Sequence, residues 1–579
     1  MPFTLVSSGG EGNSGAKLNI ARWYPYAILS LLWILIVLVV NPVGGFMVND
    51  DWSFFKAFER FNEQGEISST GWGPSNAPGG PSLIAQLLWA WPFAQIGGTS
   101  PTVLRLSVLT LGIIGSFGFL YLLSLCGIPR GLQLMGTLTL VLNPYFLSQS
   151  FTFMTDVPFT SFLILSLLFI FLGFDMSSPV VVAIGLFIGL LATLTRQIGL
   201  AIPLGFMATV LVHPVGKQLG RLRMCLLASA IGILPWIGYE VLLAHVGGTP
   251  VTEHQVIHRM FKAPLSKGFV LYVLSLALRT GYALCYSCLL VSPVIALVCC
   301  KPPFSRLFKR IMLVFLLAFL VLEIGLLSGA LELPVIFLGN VFFNYGIGPV
   351  LLKDIYILGK VRTWTIQSPM FCLWSYWALL AATCLFAHSL LTVKRLASTW
   401  SAGGPDNKTC LTFLAGFTGL IYLAAILLTG FFDRYLLPIM AVLIIGLCAL
   451  YDRRDRPTPW MPMLILGSIM LFVIGCFSIL GTRDFFEMKR SLHKAHNYLV
   501  YELEEDPCKV DGGFEFNGYH CYRNGFKPKR NRSWWWVSQE DYVVTLGSLD
   551  GYGIVKVFPF HRWLGPPGRV CVLKPIDPK

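Results

Sequence analysis

The sequence predicts an all-α polytopic membrane protein of about 13 transmembrane helices, followed by a small C-terminal α/β or α+β domain outside the cytoplasm. Composition is the first reason. Of the 579 residues, 55% are hydrophobic and 12% charged, and the mean hydropathy is +0.68, too apolar for a water-soluble domain of this size. The second reason is that the apolar residues form continuous runs, most of them near the roughly 20 residues a helix needs to cross hydrocarbon, and not the short alternating segments of a barrel. The third is the placing of positive charge in short loops between those runs.

The runs fall near residues 24–44, 102–125, 132–148, 158–174, 180–195, 198–213 and 224–244, then near 274–299, 311–331, 369–391, 409–430, 435–451 and 460–481. The first is long enough to span and has no convincing small-residue cleavage site behind it, so it reads as a signal anchor. With the N-terminus inside, alternation puts the basic loops Lys217 to Arg223, Lys301 to Arg310, Lys394-Arg395 and Arg453 to Arg456 in the cytoplasm. These loops hold much of the positive excess behind the formal charge of +14. They contain no nucleic-acid-binding motif or aromatic-basic platform, so nucleic acid is not an expected partner.

Outside lie the loops 45–101, 149–157, 245–273 and 332–368, the turn 195–197, the Asp433-Arg434 corner and the tail. Residues 1–481 form the membrane domain and 482–579 the second domain. The tail opens with an amphipathic stretch around Phe485 to Leu503, turns at Asp511-Gly512-Gly513, and contains Trp534-Trp535-Trp536 and the β-prone Tyr542-Val543-Val544. Most of the 14 cysteines sit in or beside apolar runs, as small hydrophobes do. Cys508, Cys521 and Cys571 lie in the tail, where export would permit one pair to be a disulfide, and spacing does not say which.

Ionised side chains are costly in a membrane chain, which makes its outer acids functional candidates. Asp50 and Asp51 open the first outside loop, a long one with a Gly/Pro-rich middle at 71–81. Trp52, Phe55, Phe58 and Phe61 follow at helical spacing and predict a helix lying along the interface. Asp156 stands in the next loop, in Thr155-Asp156-Val157-Pro158, and Arg196 in the turn after that. Plainer readings are a solvated loop pair for Asp50-Asp51, a helix cap for Asp156 and an interfacial anchor for Arg196. Acids and an arginine on one side nevertheless suit a specific chemistry: a carboxylate takes a proton from a hydroxyl while a guanidinium faces phosphate oxygens. Glu253-His254 with His258 would supply half a metal site, with no third ligand evident.

Asn49-Asp50-Asp51-Trp52, Thr155-Asp156-Val157-Pro158, Arg196-Gln197 and Phe432-Asp433-Arg434-Tyr435-Leu436-Leu437-Pro438 together resemble the GT-C superfamily of membrane glycosyltransferases. The resemblance is to the bacterial branch related to protein O-mannosyltransferases and the lipid A aminoarabinose transferase, and is clearest over residues 40–210 and 430–440. It implies a sugar donor linked to polyprenyl phosphate and an acceptor hydroxyl on an envelope glycan, lipid or protein. Transfer would take place at the extracytoplasmic face of the bacterial inner membrane, with inversion at the anomeric carbon. By position, Asp50 would be the general base, Asp51 its neighbour or a ligand to metal or substrate, and Asp156 the second-loop acid. Arg196, Arg434 and, from the 332–368 loop, Tyr345, Lys353 and Arg362 would serve the donor phosphate. The family commonly has Asp-Glu where this chain has Asp-Asp, which leaves the choice between the two acids open. No cofactor is implied with certainty, and a divalent cation stays open. The alternative of a different class is a transporter or flippase for a lipid-linked or anionic substrate, whose ionisable residues belong near the bilayer midplane.

Overall fold

The computed structural model describes residues 15–67, 81–216, 220–246, 268–299, 340–343, 346–359, 369–402, 407–449, 451, 461–523, 526–527, 533 and 535–576, with a few single positions between 306 and 317. In chain order its helices are α1 (Gly15–Val40), α2 (Asp51–Gln64), α3 (Ile84–Gly97), α4 (Pro101–Leu125), α5 (Arg130–Val141), α6 (Pro144–Ser150), α7 (Asp156–Asp175) and α8 (Pro179–Thr195). They continue as α9 (Ala201–Val212), α10 (Arg221–His245, with a π turn at Ser229–Ile233), α11 (Phe269–Cys299), α12 (Pro369–Ala402), α13 (Asn407–Thr429), α14 (Leu437–Ala449), α15 (Met461–Asn497) and α16 (Phe514–Cys521). Among the described residues seven helices are long and apolar enough to cross a membrane, and the chain is a multi-pass membrane protein. The run near 311–331 falls almost wholly outside the described residues.

Local sequence sets the helix ends. Ser100 and Ser178 accept from the backbone N–H groups of Val103 and Val181, and each is followed by a proline suited to the first turn. The same device corrects one expected span. The run at 132–148 is two short helices, because Asn143 accepts from the Tyr145 N–H and Pro144 cannot continue the ladder of α5. Small residues let α7 and α8 pack closely: a Cβ on Gly185 of α8 would come within 2.6 Å of the Ile170 nitrogen of α7.

A short hairpin, β1 (Phe342–Phe343) and β2 (Gly346–Ile347), lies in the 332–368 loop. The last membrane helix, α15, has 37 residues and so runs about 55 Å, far more than a bilayer core requires. Its excess carries the tail. There β3 (Val510–Asp511), β4 (Tyr542–Thr545), β5 (Tyr552–Phe560) and β6 (Gly568–Pro575) form a sheet in the order β3-β4-β6-β5, parallel only between β3 and β4. With α16 this makes a small α+β unit. Cys508 and Cys521 are disulfide-bonded across one side of α16, while Cys571 is a buried thiol in β6.

Helix α2 forms where the spacing of its aromatics predicts, but lipid does not cover it. Trp52 is fully buried against the tail's Phe514, Tyr522 and Trp536, at ring separations of 5.9, 6.0 and 5.7 Å. Gly518 permits the contact, since a Cβ there would lie 2.4 Å from the indole. The tail thereby clamps the segment that carries Asp50 and Asp51.

Candidate active site

Five stretches distant in sequence meet at the end of the bundle that carries the tail: 49–51, 155–156, 195–196, 340–342 and 433–435. Asn49 has a φ of 55°, a left-handed conformation that asparagine adopts more readily than most residues. This turn brings Asp50 to the N-cap of α2, where its side chain makes no capping bond. Its Oδ2 instead lies 3.2 Å from Nη2 of Arg434. Asp156 is the first residue of α7, with Thr155 in the cap position before it, so capping is not what its carboxylate does. Asp156 Oδ1 accepts from Nη1 of Arg196 at 2.5 Å, and its Oδ2 is 3.3 Å from Nε of Arg434, an ion pair without hydrogen-bond geometry. The N-terminus of α7 adds a favourable dipole to that acid.

Arg196 ends α8 and lays its guanidinium over the Tyr435 ring at 4.2 Å, so it is built into the cluster and is not a free interfacial anchor. Arg434 sits in the 3-10 turn Asp433–Leu436 that leads into α14. Its neighbour Asp433 turns away from the acids and accepts four backbone N–H groups, from Asn340 at 2.9 Å, Val341 at 3.0 Å, Phe342 at 3.0 Å and Arg434 at 2.8 Å. Asn340, held in this way, accepts through Oδ1 from Nδ2 of Asn49 at 3.0 Å and from Nη1 of Arg434.

Two carboxylates thus face two guanidinium groups in a largely shielded setting. The Arg434, Asp156 and Arg196 side chains are 4%, 2% and 13% exposed, and Asp50 is the open member at 35%. Burial works against the charge of both arginines, but Asp156 heads the neighbours that outweigh it, and both are held above the ordinary arginine value. Burial also pushes the Asp433 carboxyl up, against the pull of its four N–H donors.

Asp51 has a different environment from Asp50. It is 2% exposed and accepts from the Val48 N–H at 2.5 Å, and burial raises its carboxyl to about 7 against the opposing charge of Arg105. Arg105, from α4, donates to the Pro42 and Phe46 carbonyls at 2.6 and 2.8 Å and ties the start of this loop to the bundle. From the tail, Glu515 accepts from the Asn49 N–H at 3.0 Å and from Nζ of Lys489 at 2.6 Å. A cleft of about 340 Å³ adjoins that pair, lined in part by Glu59, His493, His496 and Tyr519, and none of Asp50, Asp156, Arg196 or Arg434 lines it.

Lys353 does not join the cluster. It opens the π turn Lys353–Ile357, is buried, and pairs with Glu540 of the tail. Tyr345 and Arg362 lie outside the described residues, as do Glu253, His254 and His258. Among the described residues no three His, Cys, Asp or Glu side chains group as a metal site. The guanidinium of Arg434 stands within ion-pair distance of both Asp50 and Asp156. Sequence reasoning missed Asn340, Tyr435 and the Lys489–Glu515 pair. Tyr435 was within reach, since it adjoins Arg434 in the quoted motif, whereas an amide such as Asn340 in a long loop carries no sequence signal.

No family model matches the chain, and no curated protein matches it in sequence. Among solved structures it is similar to ArnT from Cupriavidus metallidurans bound to undecaprenyl phosphate, at 13% identity over 96% of this chain and 100% of that one, with a TM-score of 0.35. It is also similar to the archaeal oligosaccharyltransferase AglB from Archaeoglobus fulgidus in complex with an inhibitory peptide and a dolichol-phosphate, at 13% identity over 89% of this chain and 63% of that one, with a TM-score of 0.42. A third likeness is to the arabinosyltransferase EmbB from Mycobacterium smegmatis, at 10% identity over 89% and 44% of the two chains, with a TM-score of 0.32.

Proposed function

We propose that this chain is a membrane glycosyltransferase of the GT-C superfamily that moves a hexose or pentose from a polyprenyl-phosphate donor to a hydroxyl acceptor, with Asp50 as general base. One observation carries the reading. Arg434 gathers Asp50 and Asp156, from two different loops, at 3.2 and 3.3 Å, so that a proton acceptor and two guanidinium groups share one partly open site. The motifs around these same residues supply the reaction class.

In this mechanism the acceptor O–H gives its proton to the Asp50 carboxylate, the open member of the cluster. The acceptor oxygen bonds to the anomeric carbon as the bond from that carbon to the phosphate oxygen breaks. The electron pair leaves on the lipid phosphate and the carbon inverts. Arg434 and Arg196 offset the charge that develops there, and Asp156 fixes both guanidinium groups in place beforehand. Asp51, shut in and bonded to the Val48 N–H, acts as a positioning residue for the loop.

The site and tail would face the extracytoplasmic side of a bacterial inner membrane, with the N-terminus in the cytoplasm and an envelope glycan, lipid or protein as acceptor. The basic loops support that orientation, and so does the Cys508–Cys521 disulfide, a bond that persists in oxidising compartments. A transporter or flippase would carry its charges near the midplane, whereas Asp156 begins one helix and Arg196 ends another. The test is transfer of labelled sugar from a defined polyprenyl-phosphate donor by the purified protein. Equal transfer by wild type and Asp50→Asn overturns the assignment of the base. Movement of the lipid across vesicles without sugar transfer overturns the transferase reading in favour of transport.

A further inference from the structure

The geometry points to the loop 561–567, between β5 and β6, as a membrane anchor whose Trp563 and Leu564 enter the headgroup–acyl boundary on the side of the bilayer that carries the tail. Helix α15 begins at Met461, and about 20 residues at 1.5 Å each cross roughly 30 Å of hydrocarbon, which brings the surface close to Gly481. The first charges of α15 follow at once, in Arg483, Asp484 and Glu487.

The loop is fastened at this depth. Asp484 accepts the Trp563 N–H on both oxygens, at 2.8 and 2.9 Å, and the Leu564 N–H at 2.8 Å. Arg483 donates to the His561 carbonyl at 2.8 Å and lies 4.4 Å from the centre of the Trp563 ring. A Cβ on Gly481 would stand 3.8 Å from Leu564 Cδ1. Two bulky apolar side chains are therefore held by their own backbone beside the residue at which α15 leaves the hydrocarbon.

Protein leaves about half of each residue uncovered. Trp563 is 56% exposed and Leu564 48%. Two exposed cationic residues flank the pair, Arg562 within the loop and Arg569 at the start of β6. An aromatic ring and an aliphatic chain fit the boundary layer, and the arginines fit the phosphate layer above it. Lipid is the occupant this arrangement selects, because the tip is continuous with a surface already set by the spanning helix.

The test uses the full-length protein in phospholipid nanodiscs made with plain lipids or with lipids brominated on the acyl chain near the headgroup. Emission of Trp563→Phe is subtracted from that of wild type to isolate the one indole, and unchanged thermal unfolding shows that the variant is folded. Loss of most of the difference emission in brominated lipid, with little effect of aqueous acrylamide, is the expected result. A difference emission quenched by acrylamide and not by bromine places the loop in water and overturns the proposal. Protection from both quenchers means a protein contact, such as a second copy of the chain, and overturns it too. Moving the indole one position, with Trp563→Phe and Leu564→Trp together, should restore the bromine-quenched component.

Discussion

Replacing Asp50 and Asp156 by asparagine, one at a time, separates the chemistry of the cluster from its support. Asp156 is 2% exposed and is the shared partner of Arg196 at 2.5 Å and Arg434 at 3.3 Å. Asp156→Asn leaves two buried cations without it, and breaking a buried pair by removing one member costs about 3–5 kcal/mol. Asp50 is 35% exposed and has one pair, to Arg434 at 3.2 Å. A pair that open is worth about 0–1 kcal/mol, so Asp50→Asn should melt close to wild type. It cannot accept the acceptor's proton, and loss of a general base lowers turnover by about 10²–10⁴-fold. Thermal unfolding in one detergent and initial rates of labelled-sugar transfer read the two effects separately. Asp50→Glu, which restores a carboxylate one methylene further out, should recover part of the rate. The reasoning fails if Asp50→Asn destabilises as much as Asp156→Asn, or if it is folded and turns over like wild type.

Three further outcomes follow from the same contacts. The Asp51 carboxyl titrates near 7 when folded against 3.8 when free, so the folded chain binds the extra proton between those values. Stability then falls as pH rises from about 4 to about 7 and is level above, by roughly 4 kcal/mol in all. Asp51→Asn should therefore gain on wild type between pH 5 and pH 8, and parallel melting profiles would contradict it. Lys353→Met strands the Glu540 carboxylate, whose side chain is 9% exposed, and should cost about 3–5 kcal/mol while the folded fraction keeps its donor KM. A stable variant with a raised donor KM would return Lys353 to the phosphate. Replacing Cys508 and Cys521 together, which opens a link between residues 13 apart, should cost about 3 kcal/mol. Unreduced peptide mapping should recover Cys508 joined to Cys521, with Cys571 alkylated only after unfolding.

Much of this architecture is written in local sequence, and the exceptions have physical causes. The helix of Trp52, Phe55 and Phe58 is legible because periodicity marks a face that must be covered. Periodicity does not say what covers it, and Phe514, Tyr522 and Trp536 stand where lipid was the expectation. Asn143-Pro144 contains the signal that divides 132–148 into two helices, but total hydropathy masks it. Lys353 is a phosphate candidate by loop and charge, and in the fold it pairs with Glu540, 187 residues away. No charge count along the chain pairs the two. The acids and arginines were nameable one by one, while Asn340, the amide that joins Asn49 to Arg434, was not.

Asp433 and Arg434 give the reason that neighbours in sequence do different work. A 3-10 turn has 3 residues per turn, so successive side chains leave it about 120° apart. Asp433 therefore reaches the 340–342 backbone while Arg434 reaches the two acids. The consequence bears on the order of events in the proposed transfer. When Asp50 takes the acceptor's proton it gives up its ion pair, and a guanidinium held by that acid alone would then swing free. Arg434 keeps Asp156 on one side and Asn340, fixed by Asp433, on the other. Its charge thus stays in place at the moment the phosphate begins to carry its own, which is when a preorganised cation lowers the barrier most.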